Sequence, residues 1–237
     1  MKYGEVFGKI YKDRIWGDGS GSNPLSGSGS NPRNAAAYVN YVQSFIVKNK
    51  IASVVDFGHG DWQMWQEYSF KDINYLGVDV AEGLSVEIQA IFGNDTRRFK
   101  QLDISQDPLP PGDLLLSKDV LQHLPSEEIV NFLNQIKSFK FAIVCNDIYL
   151  RGNLYFELKE FIQIRKRFDL IRKLKNPFYL NRRKNNRDIH AGEIRGINLT
   201  KKPFQQALKN YKVELIADYD GPIRPGIKKR VYLITPR

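Results

Sequence analysis

The chain is poor in cysteine and lacks long apolar runs. Its 237 residues include one cysteine, Cys145, which excludes an intrachain disulfide framework and a zinc site built on cysteines. No apolar run approaches the roughly 18 residues that a membrane-spanning helix needs. The first residues, MKYGEVFGKIYKDR, lack the uninterrupted apolar stretch of a signal peptide. These absences are typical of a reducing compartment, and we expect the protein in the cytoplasm.

Positive charge is in excess, and it is concentrated in one segment. The net charge is +10, and residues 159–187 hold eleven Lys or Arg against two acids. Apolar residues alternate with these cations, which is compatible with a solvated basic helix face, with attachment to a membrane surface near a lipid-linked glycan, or with nucleic-acid binding. No known nucleic-acid module accompanies the segment, so nucleic acid is the less favoured partner.

From residue 51 onward, short apolar runs alternate with amphipathic stretches. This pattern predicts a βαβ array with a mostly parallel sheet. The predicted strands are Ala52–Asp56, Asn74–Asp79, Phe99–Leu102, Asp113–Ser117 and Phe141–Asn146, followed by Val213–Ala217 and Arg230–Ile234, which fit an antiparallel hairpin. The predicted helices are Ala35–Val47, Trp62–Tyr68, Leu84–Phe92 and Ser126–Phe139.

The pattern therefore predicts one α/β domain over residues 1–237, with a seven-stranded, mostly parallel sheet and helices on both faces. We expect a cap loop and helix over 1–50 and a basic insertion on the substrate side over 150–202. Within the cap, residues 17–32 read GDGSGSNPLSGSGSNP, in which GSGSNP occurs twice. By composition alone this stretch is compatible with a flexible linker. The sequence gives no signal for the oligomeric state.

The strongest local motif is VVDFGHGDW, residues 54–62. A β-branched strand ends in an acid and leads into Gly58 and Gly60, whose backbone amides allow close approach of a ligand. The next strand ends at Asp79, where a carboxylate accepts hydrogen bonds from ribose hydroxyls. No third glycine follows at the dinucleotide spacing, and Trp62 with an extra acid is a poor neighbour for two phosphates. A positively charged sulfonium ligand suits this loop better than a nicotinamide dinucleotide.

At these segments the sequence resembles the class I S-adenosylmethionine-dependent methyltransferases, and within them a bacterial and viral branch. The resemblance covers most of the chain and is carried by WGDGSGSNPLSGSGS, SVVDFGHGDW, YLGVDV, LDISQDPLP, DLLLSKDVLQHLP and RDIHAGEIRGINLTKKPF. It implies a Rossmann-like class I methyltransferase fold and S-adenosyl-L-methionine as the cofactor. One departure is His59, where the branch usually has a small residue or cysteine.

The resemblance also implies the cofactor contacts. Asp56, Gly58 and Gly60 would form the methionine-side loop, Asp79 would hold the ribose, and Asp103 with Ile104 would border the adenine. The serine-glycine stretch would fold over the cofactor. The full set of expected cofactor contacts is Trp16, Ser28, Ser30, Asp56, Gly58, Gly60, Trp62, Asp79, Val80, Asp103, Ile104, Lys118 and Asp119.

Candidate catalytic and acceptor-binding residues follow the fourth and fifth strands and occur again near residue 190. Asp119 and His123 are four residues apart, and one of them would orient or deprotonate an acceptor hydroxyl, although Asp119 could equally contact the cofactor's amino group. His190 is a third catalytic candidate. In the resembling branch this later segment lies beside the acceptor pocket, so Asp147, His190 and Arg195 are the expected substrate contacts. Asp119, His123 and Asp147 could also bind a metal, but their spacing carries no metal signature and we predict none.

These features favour an O-methyltransferase that acts on a sugar, a glycan or another polar small acceptor, which could be anionic or associated with a membrane. The acceptor class rests on the resemblance. A nucleic-acid methyltransferase, favoured by the basic segment, and a catalytically silent cofactor-binding protein, for which His59 is the hint, are the alternatives. A dehydrogenase would require nicotinamide binding.

Overall fold

A single mixed sheet organises the residues that the computed structural model describes, which are 3–68, 70–150, 185–221 and 226–237. These residues form seven strands in the order β3-β2-β1-β4-β5-β7-β6. The first five strands are parallel, and β7 runs antiparallel between β5 and β6. The strands are β1 Ser53–Phe57, β2 Asn74–Asp79, β3 Arg97–Gln101, β4 Gly112–Lys118, β5 Phe139–Tyr149, β6 Tyr211–Asp220 and β7 Ile227–Pro236.

The burial of each strand follows from its place in the sheet. In the centre, Leu114, Leu115 and Leu116 of β4 are fully buried, because both faces of a parallel strand are covered. At the edge, β6 is only partly buried along its whole length. The predicted mostly parallel sheet with an antiparallel C-terminal hairpin is confirmed. The bounds of β2 agree with the prediction, and β5 is longer than predicted at both ends.

Four α-helices lie within the described residues: α1 Gly4–Lys12, α2 Pro32–Asn49, α3 Leu84–Phe92 and α4 Ser126–Gln135. The N-terminus of α2 is well specified, since Pro32 occupies the first turn and the side chain of Asn31 accepts a hydrogen bond from the Arg33 amide. The bounds of α3 match the prediction, whereas α4 ends at Gln135 and gives way to a short 3₁₀ turn.

Two helical segments differ from the prediction. The helix expected over Trp62–Tyr68 is only the 3₁₀ turn Gln63–Trp65, because Trp62 adopts a left-handed backbone conformation with φ of 59° that interrupts helical geometry. Conversely, the sequence pattern does not predict α1, in which Phe7 and Ile10 are buried. Gly4 and Gly8 lower the helix propensity of this segment, so its packing against the rest of the chain stabilises it.

The predicted basic insertion over 150–202 lies mostly outside the described residues, which omit 151–184. The concentration of positive charge over 159–187 is therefore a feature of the sequence without a described structure. Within the ranges that are described, no helix combines the length and the apolar character needed to cross a membrane.

The core beneath the sheet gives a direct test of the packing. Leu133 on α4 is fully buried, whereas Leu215 on β6 is 51% exposed. We expect Leu133→Ala to lower the free energy of unfolding by about 2–5 kcal/mol, because it removes buried methyl groups and leaves a cavity. The same change at Leu215 should cost no more than about 0.5 kcal/mol. Urea denaturation followed by circular dichroism measures both, and equal losses would contradict the described packing.

Candidate functional site

A cavity of about 610 Å³ opens where the parallel strands end. Its walls come from the loop after β1, the ends of β2, β4 and β5, and the N-terminal segment. Ligands of open α/β sheets bind at this edge. Most of the predicted site residues line the cavity, namely Trp16, Ser28, Ser30, Gly58, Gly60, Trp62, Asp79, Val80, Asp103, Ile104, Lys118, Asp119, His123 and Asp147.

The loop after β1 requires glycine at two positions. Gly58 and Gly60 both have positive φ, and a side chain on either would collide with a neighbour, Val120 in the first case and Ser26 in the second. The Gly60 amide donates a hydrogen bond to Asp79 Oδ2 at 3.1 Å, and the Ala81 amide donates to Asp79 Oδ1 at 2.9 Å. Two backbone amides thus fix the Asp79 carboxylate at the cavity wall.

Residues 26–30, the serine-glycine strap, cover one side of the cavity. Ser26 and Asp61 bond reciprocally: the Ser26 amide donates to Asp61 Oδ2 at 3.1 Å, and the Asp61 amide donates to Ser26 Oγ at 2.7 Å. At the other end of the strap, Lys118 Nζ donates to the Gly29 carbonyl at 2.7 Å. The buried hydroxyl of Ser28 has no hydrogen-bond partner among the described residues. The strap therefore holds a fixed position and presents an unsatisfied polar group at the cavity.

Four charged side chains alternate at the ends of β4, β5 and β7. Lys118 Nζ lies 2.6 Å from Asp119 Oδ2, and Lys229 Nζ lies 2.5 Å from Asp119 Oδ1 and 2.6 Å from Asp147 Oδ1. This charged tetrad has no formal net charge. Lys229 engages the carboxylates of both Asp119 and Asp147, and within the described residues no three His, Cys, Asp or Glu side chains are grouped to hold a metal ion.

The two acids of the tetrad have pKa values that shift in opposite directions. Burial raises the pKa of Asp119, but Lys118 and Lys229 outweigh this effect and hold the pKa well below its usual range. Burial also raises the pKa of Asp147, and the single ammonium beside it does not reverse the shift. Burial acts to lower the pKa of Lys229, yet the two carboxylates raise it overall. Asp119 and Lys229 are therefore fixed charges, whereas Asp147 takes up a proton more readily.

His123 is held as a neutral imidazole. Its Nδ1 lies 3.0 Å from the carbonyl oxygen of Glu193, which only accepts hydrogen bonds, so Nδ1 carries the proton. Burial lowers the pKa of His123 to about 4. The ring packs against Trp16 with 4.7 Å between ring centroids. The unprotonated Nε2 is consequently a hydrogen-bond acceptor near neutral pH, and the side-chain amide nitrogen of Gln122 lies 3.5 Å from it.

Three predicted site residues do not line the cavity. The Asp56 carboxylate lies within the core, where it accepts hydrogen bonds from Trp65 Nε1 at 2.9 Å and from the Tyr75 hydroxyl at 2.7 Å. His190 is exposed, and its backbone amide donates a hydrogen bond to the Glu193 carboxylate. Arg195 is fully buried next to the cavity wall.

The structure also adds residues that the sequence does not point to. Lys229 comes from the antiparallel strand β7, and Tyr11 comes from α1. Gln122 connects two predicted residues, because its Oε1 accepts the Asp147 amide at 2.8 Å and its Nε2 lies 3.5 Å from His123 Nε2. The signal for Lys229 is the hairpin register, in which it pairs with Asp147.

The tetrad gives a prediction with a matched control. Lys229→Met should lower the free energy of unfolding at pH 7 by about 3–5 kcal/mol, because it leaves buried carboxylates without their cation. Without Lys229, the folded-state pKa of Asp147 rises further above its unfolded value. The folded state then takes up the proton first, and the deficit should shrink as pH falls toward 5.

Lys228→Met is the control for this change. Lys228 pairs with Asp218 at 3.3 Å on a partly exposed surface, so its loss should cost less than about 1 kcal/mol. Urea denaturation at several pH values measures both variants. A deficit at Lys229 that is small, or that grows as pH falls, would contradict the buried ion pairs.

The His123 tautomer is testable by nuclear magnetic resonance. At pH 7, the ¹⁵N spectrum of the imidazole should show a protonated Nδ1 and an unprotonated Nε2, and the ring should stay neutral until the pH falls to about 4. His123→Gln identifies the signals. Protonation of Nε2 at pH 7 would show that the Glu193 carbonyl does not set the tautomer.

No protein-family model and no curated protein matches the chain. Solved structures match it at low identity. Magnesium protoporphyrin IX methyltransferase from Synechocystis PCC 6803 with bound SAH is 16% identical with a TM-score of 0.60, over 100% of this chain and 97% of that chain. The DhpI–SAH complex is 12% identical with a TM-score of 0.56, over 100% of this chain and 98% of that chain. The small RNA methyltransferase HEN1 is 15% identical with a TM-score of 0.52, over 86% of this chain and 25% of that chain.

These likenesses agree with the strand order, the antiparallel β7 and the position of the cavity. The chain has the Rossmann-like fold of the class I methyltransferases.

Proposed function

We propose that this protein is an S-adenosylmethionine-dependent methyltransferase that binds its cofactor in the cavity at the carboxyl edge of the sheet. The observation that carries the proposal is the pairing of the glycine loop after β1 with the fixed Asp79 carboxylate at the end of β2. Solved structures with the same fold contain SAM or SAH, which supports the same class of ligand here.

The residues present fit this cofactor. Each oxygen of Asp79 accepts one backbone amide, and a carboxylate oxygen has a further lone pair with which to accept a ribose hydroxyl. Gly58 and Gly60 line the cavity, so the backbone of this loop borders the space that the cofactor would occupy. The unpartnered Ser28 hydroxyl and the nearby Lys118 are suited to the amino-acid end of the cofactor, which carries a carboxylate.

At the far side of β2, the cavity offers an apolar surface for the adenine. Ile104 is buried and lines the cavity. The neighbouring Asp103 carboxylate is engaged within the chain, because it accepts hydrogen bonds from the Tyr3 amide at 3.2 Å and from the Ser105 hydroxyl at 2.7 Å. We assign Asp103 the role of shaping this loop and Ile104 that of packing on the base.

The acceptor side of the cavity contains groups that serve transfer to a hydroxyl. When bound, S-adenosylmethionine supplies an electrophilic methyl group. The Nε2 lone pair of neutral His123 is placed to accept the proton of an acceptor hydroxyl, and general-base help of this kind contributes about 10²–10⁴ in rate. Asp119, held ionised by two lysines, orients groups as a fixed charge. Correct alignment of the acceptor supplies a further part of the rate enhancement.

The acceptor that we propose is a hydroxyl of a sugar, a glycan or another polar small molecule. The tetrad presents ammonium donors and carboxylate acceptors side by side at the cavity, which suits a molecule with several polar groups. Trp16, which packs beside His123 with its ring tilted by 37°, offers a flat apolar surface for the carbon skeleton of the acceptor.

Cofactor binding tests the proposal directly. By isothermal titration calorimetry we expect the wild-type chain to bind SAM and SAH but not NAD. Asp79→Asn should weaken SAH binding by about 10- to 100-fold, because it removes charge-assisted hydrogen bonds to the ribose. The control, Asp220→Asn at the exposed end of β6, should bind as the wild type does.

Failure of the wild-type chain to bind SAH, or binding of NAD alone, would overturn the proposal. If SAH binds, transfer of radiolabelled methyl groups to panels of sugars, phosphorylated sugars and RNA identifies the acceptor class. Label in RNA alone would replace the small-molecule acceptor with a nucleic acid.

A further inference from the structure

Arg195 is a buried cation whose guanidinium nitrogens have no hydrogen-bond partner among the described residues. The residue has no exposed surface, and its Nε, Nη1 and Nη2 atoms all lack a hydrogen-bond partner among the described residues. A guanidinium has five N–H donors, and burying them unpaired is costly. Burial lowers the pKa of Arg195 to about 10, so the group is still charged at neutral pH. The guanidinium therefore keeps N–H donors for which the described residues supply no acceptor.

The nearby acid is engaged elsewhere. Asp188 acts on Arg195 through its charge, but its Oδ1 accepts hydrogen bonds from the Ser126 amide at 2.8 Å and the Ile189 amide at 3.1 Å. Arg187 adds a second positive charge, and its Nε is also buried and without a partner in the described part of the chain. The cluster therefore has two cations and one acid that caps α4.

The cluster adjoins the acceptor side of the cavity. The Arg195 amide donates to the Gln122 carbonyl at 3.1 Å, and the Gln122 side chain lines the cavity beside His123. Ile194, the preceding residue, also lines the cavity and is 44% exposed. His123 Nδ1 lies 3.0 Å from the carbonyl oxygen of Glu193, two residues before Arg195, so the segment that contains Arg195 packs against His123.

We propose that Arg195, with Arg187 beside it, forms an anion-binding subsite that takes the carboxylate or phosphate group of the acceptor. This inference rests on the proposed function, because it supplies the second contact of a molecule whose hydroxyl lies at His123. The planar guanidinium matches both oxyanions through two parallel hydrogen bonds. Since Arg195 has no exposed surface, the anion enters when the irregular segment 185–200 opens locally, and binding should be slow.

Thermal denaturation in different anions tests the subsite without any acceptor. Inorganic phosphate and acetate are compared with chloride at equal ionic strength, so that charge screening is the same in each, and a response that depends on Arg195 is separated from the general stabilisation that phosphate gives folded proteins. We expect one of the two oxyanions to raise the wild-type melting temperature by at least about 2 °C. The anion that does so distinguishes a phosphorylated acceptor from a carboxylated one.

Variants separate a binding role from a structural one. Arg195→Met should melt at or above the wild-type temperature in chloride, because it removes an unpaired buried charge, and should lose the oxyanion response. Arg195→Lys, which keeps the charge but not the planar fork, should bind about tenfold more weakly. Arg98→Met, at an exposed position on β3, should respond as the wild type does.

The subsite is overturned if the wild-type chain does not distinguish oxyanions from chloride, or if Arg195→Met keeps the response. If Arg195→Met does not fold, an undiminished response in Arg195→Lys overturns it instead. SAH titration of the same proteins tests the methyltransferase proposal independently of the anion-binding subsite. Loss of SAH binding with an intact oxyanion response would refute the methyltransferase alone, and the reverse would refute the subsite alone.

Discussion

The ammonium of Lys229 holds together the end of the sheet at which the cavity opens. Parallel neighbours β4 and β5 each bring an aspartate to this edge, Asp119 and Asp147, and two buried carboxylates side by side repel each other. Because β7 enters antiparallel, its register places Lys229 opposite Asp147 and within 2.5 Å of Asp119. Lys118 balances the remaining charge and also bonds the strap at Gly29, so one ion-pair network connects three strands with the N-terminal segment.

This ion-pair network gives Asp119 and His123 different chemical roles. Two lysines keep Asp119 ionised, which makes it a fixed charge rather than a base. His123 is kept neutral by burial and is oriented by the Glu193 carbonyl, so its unprotonated Nε2 is a hydrogen-bond acceptor beside a site whose charges already balance. When the pKa values of neighbouring groups shift in opposite directions, the shifts indicate which group acts as an acid and which as a base. In the proposed reaction, proton removal therefore falls to His123 and charge orientation to the tetrad.

Local patterns were enough to predict the parts of the site that lie close together in sequence. Strand β2 and helix α3 have their predicted bounds, and the glycine loop and Asp79 lie at the cavity as the motif implies. Lys229 could not be predicted, because its importance depends on a strand register some eighty residues after Asp147. Asp56 shows a different limit of sequence patterns. An acid at the end of a strand looks alike in sequence whether it faces a ligand or, as here, satisfies the buried Trp65 and Tyr75. Residue type alone does not show which face a side chain occupies.

Lys229 and Arg195 show two ways in which a buried cation can be accommodated. Both are almost or fully buried and both adjoin the cavity, yet Lys229 has two carboxylate partners and Arg195 has none among the described residues. A paired charge adds rigidity to the unliganded fold, whereas an unpaired one destabilises it until an anion arrives. The difference implies that the tetrad and Arg195 have different roles in the site. The tetrad holds the strands in place before any ligand binds. Arg195, in contrast, has N–H donors that would form hydrogen bonds only when a negatively charged ligand binds. In the proposed site, Arg195 would favour an anionic acceptor over a neutral one. The tetrad, which has no formal net charge, would contribute little to this selectivity.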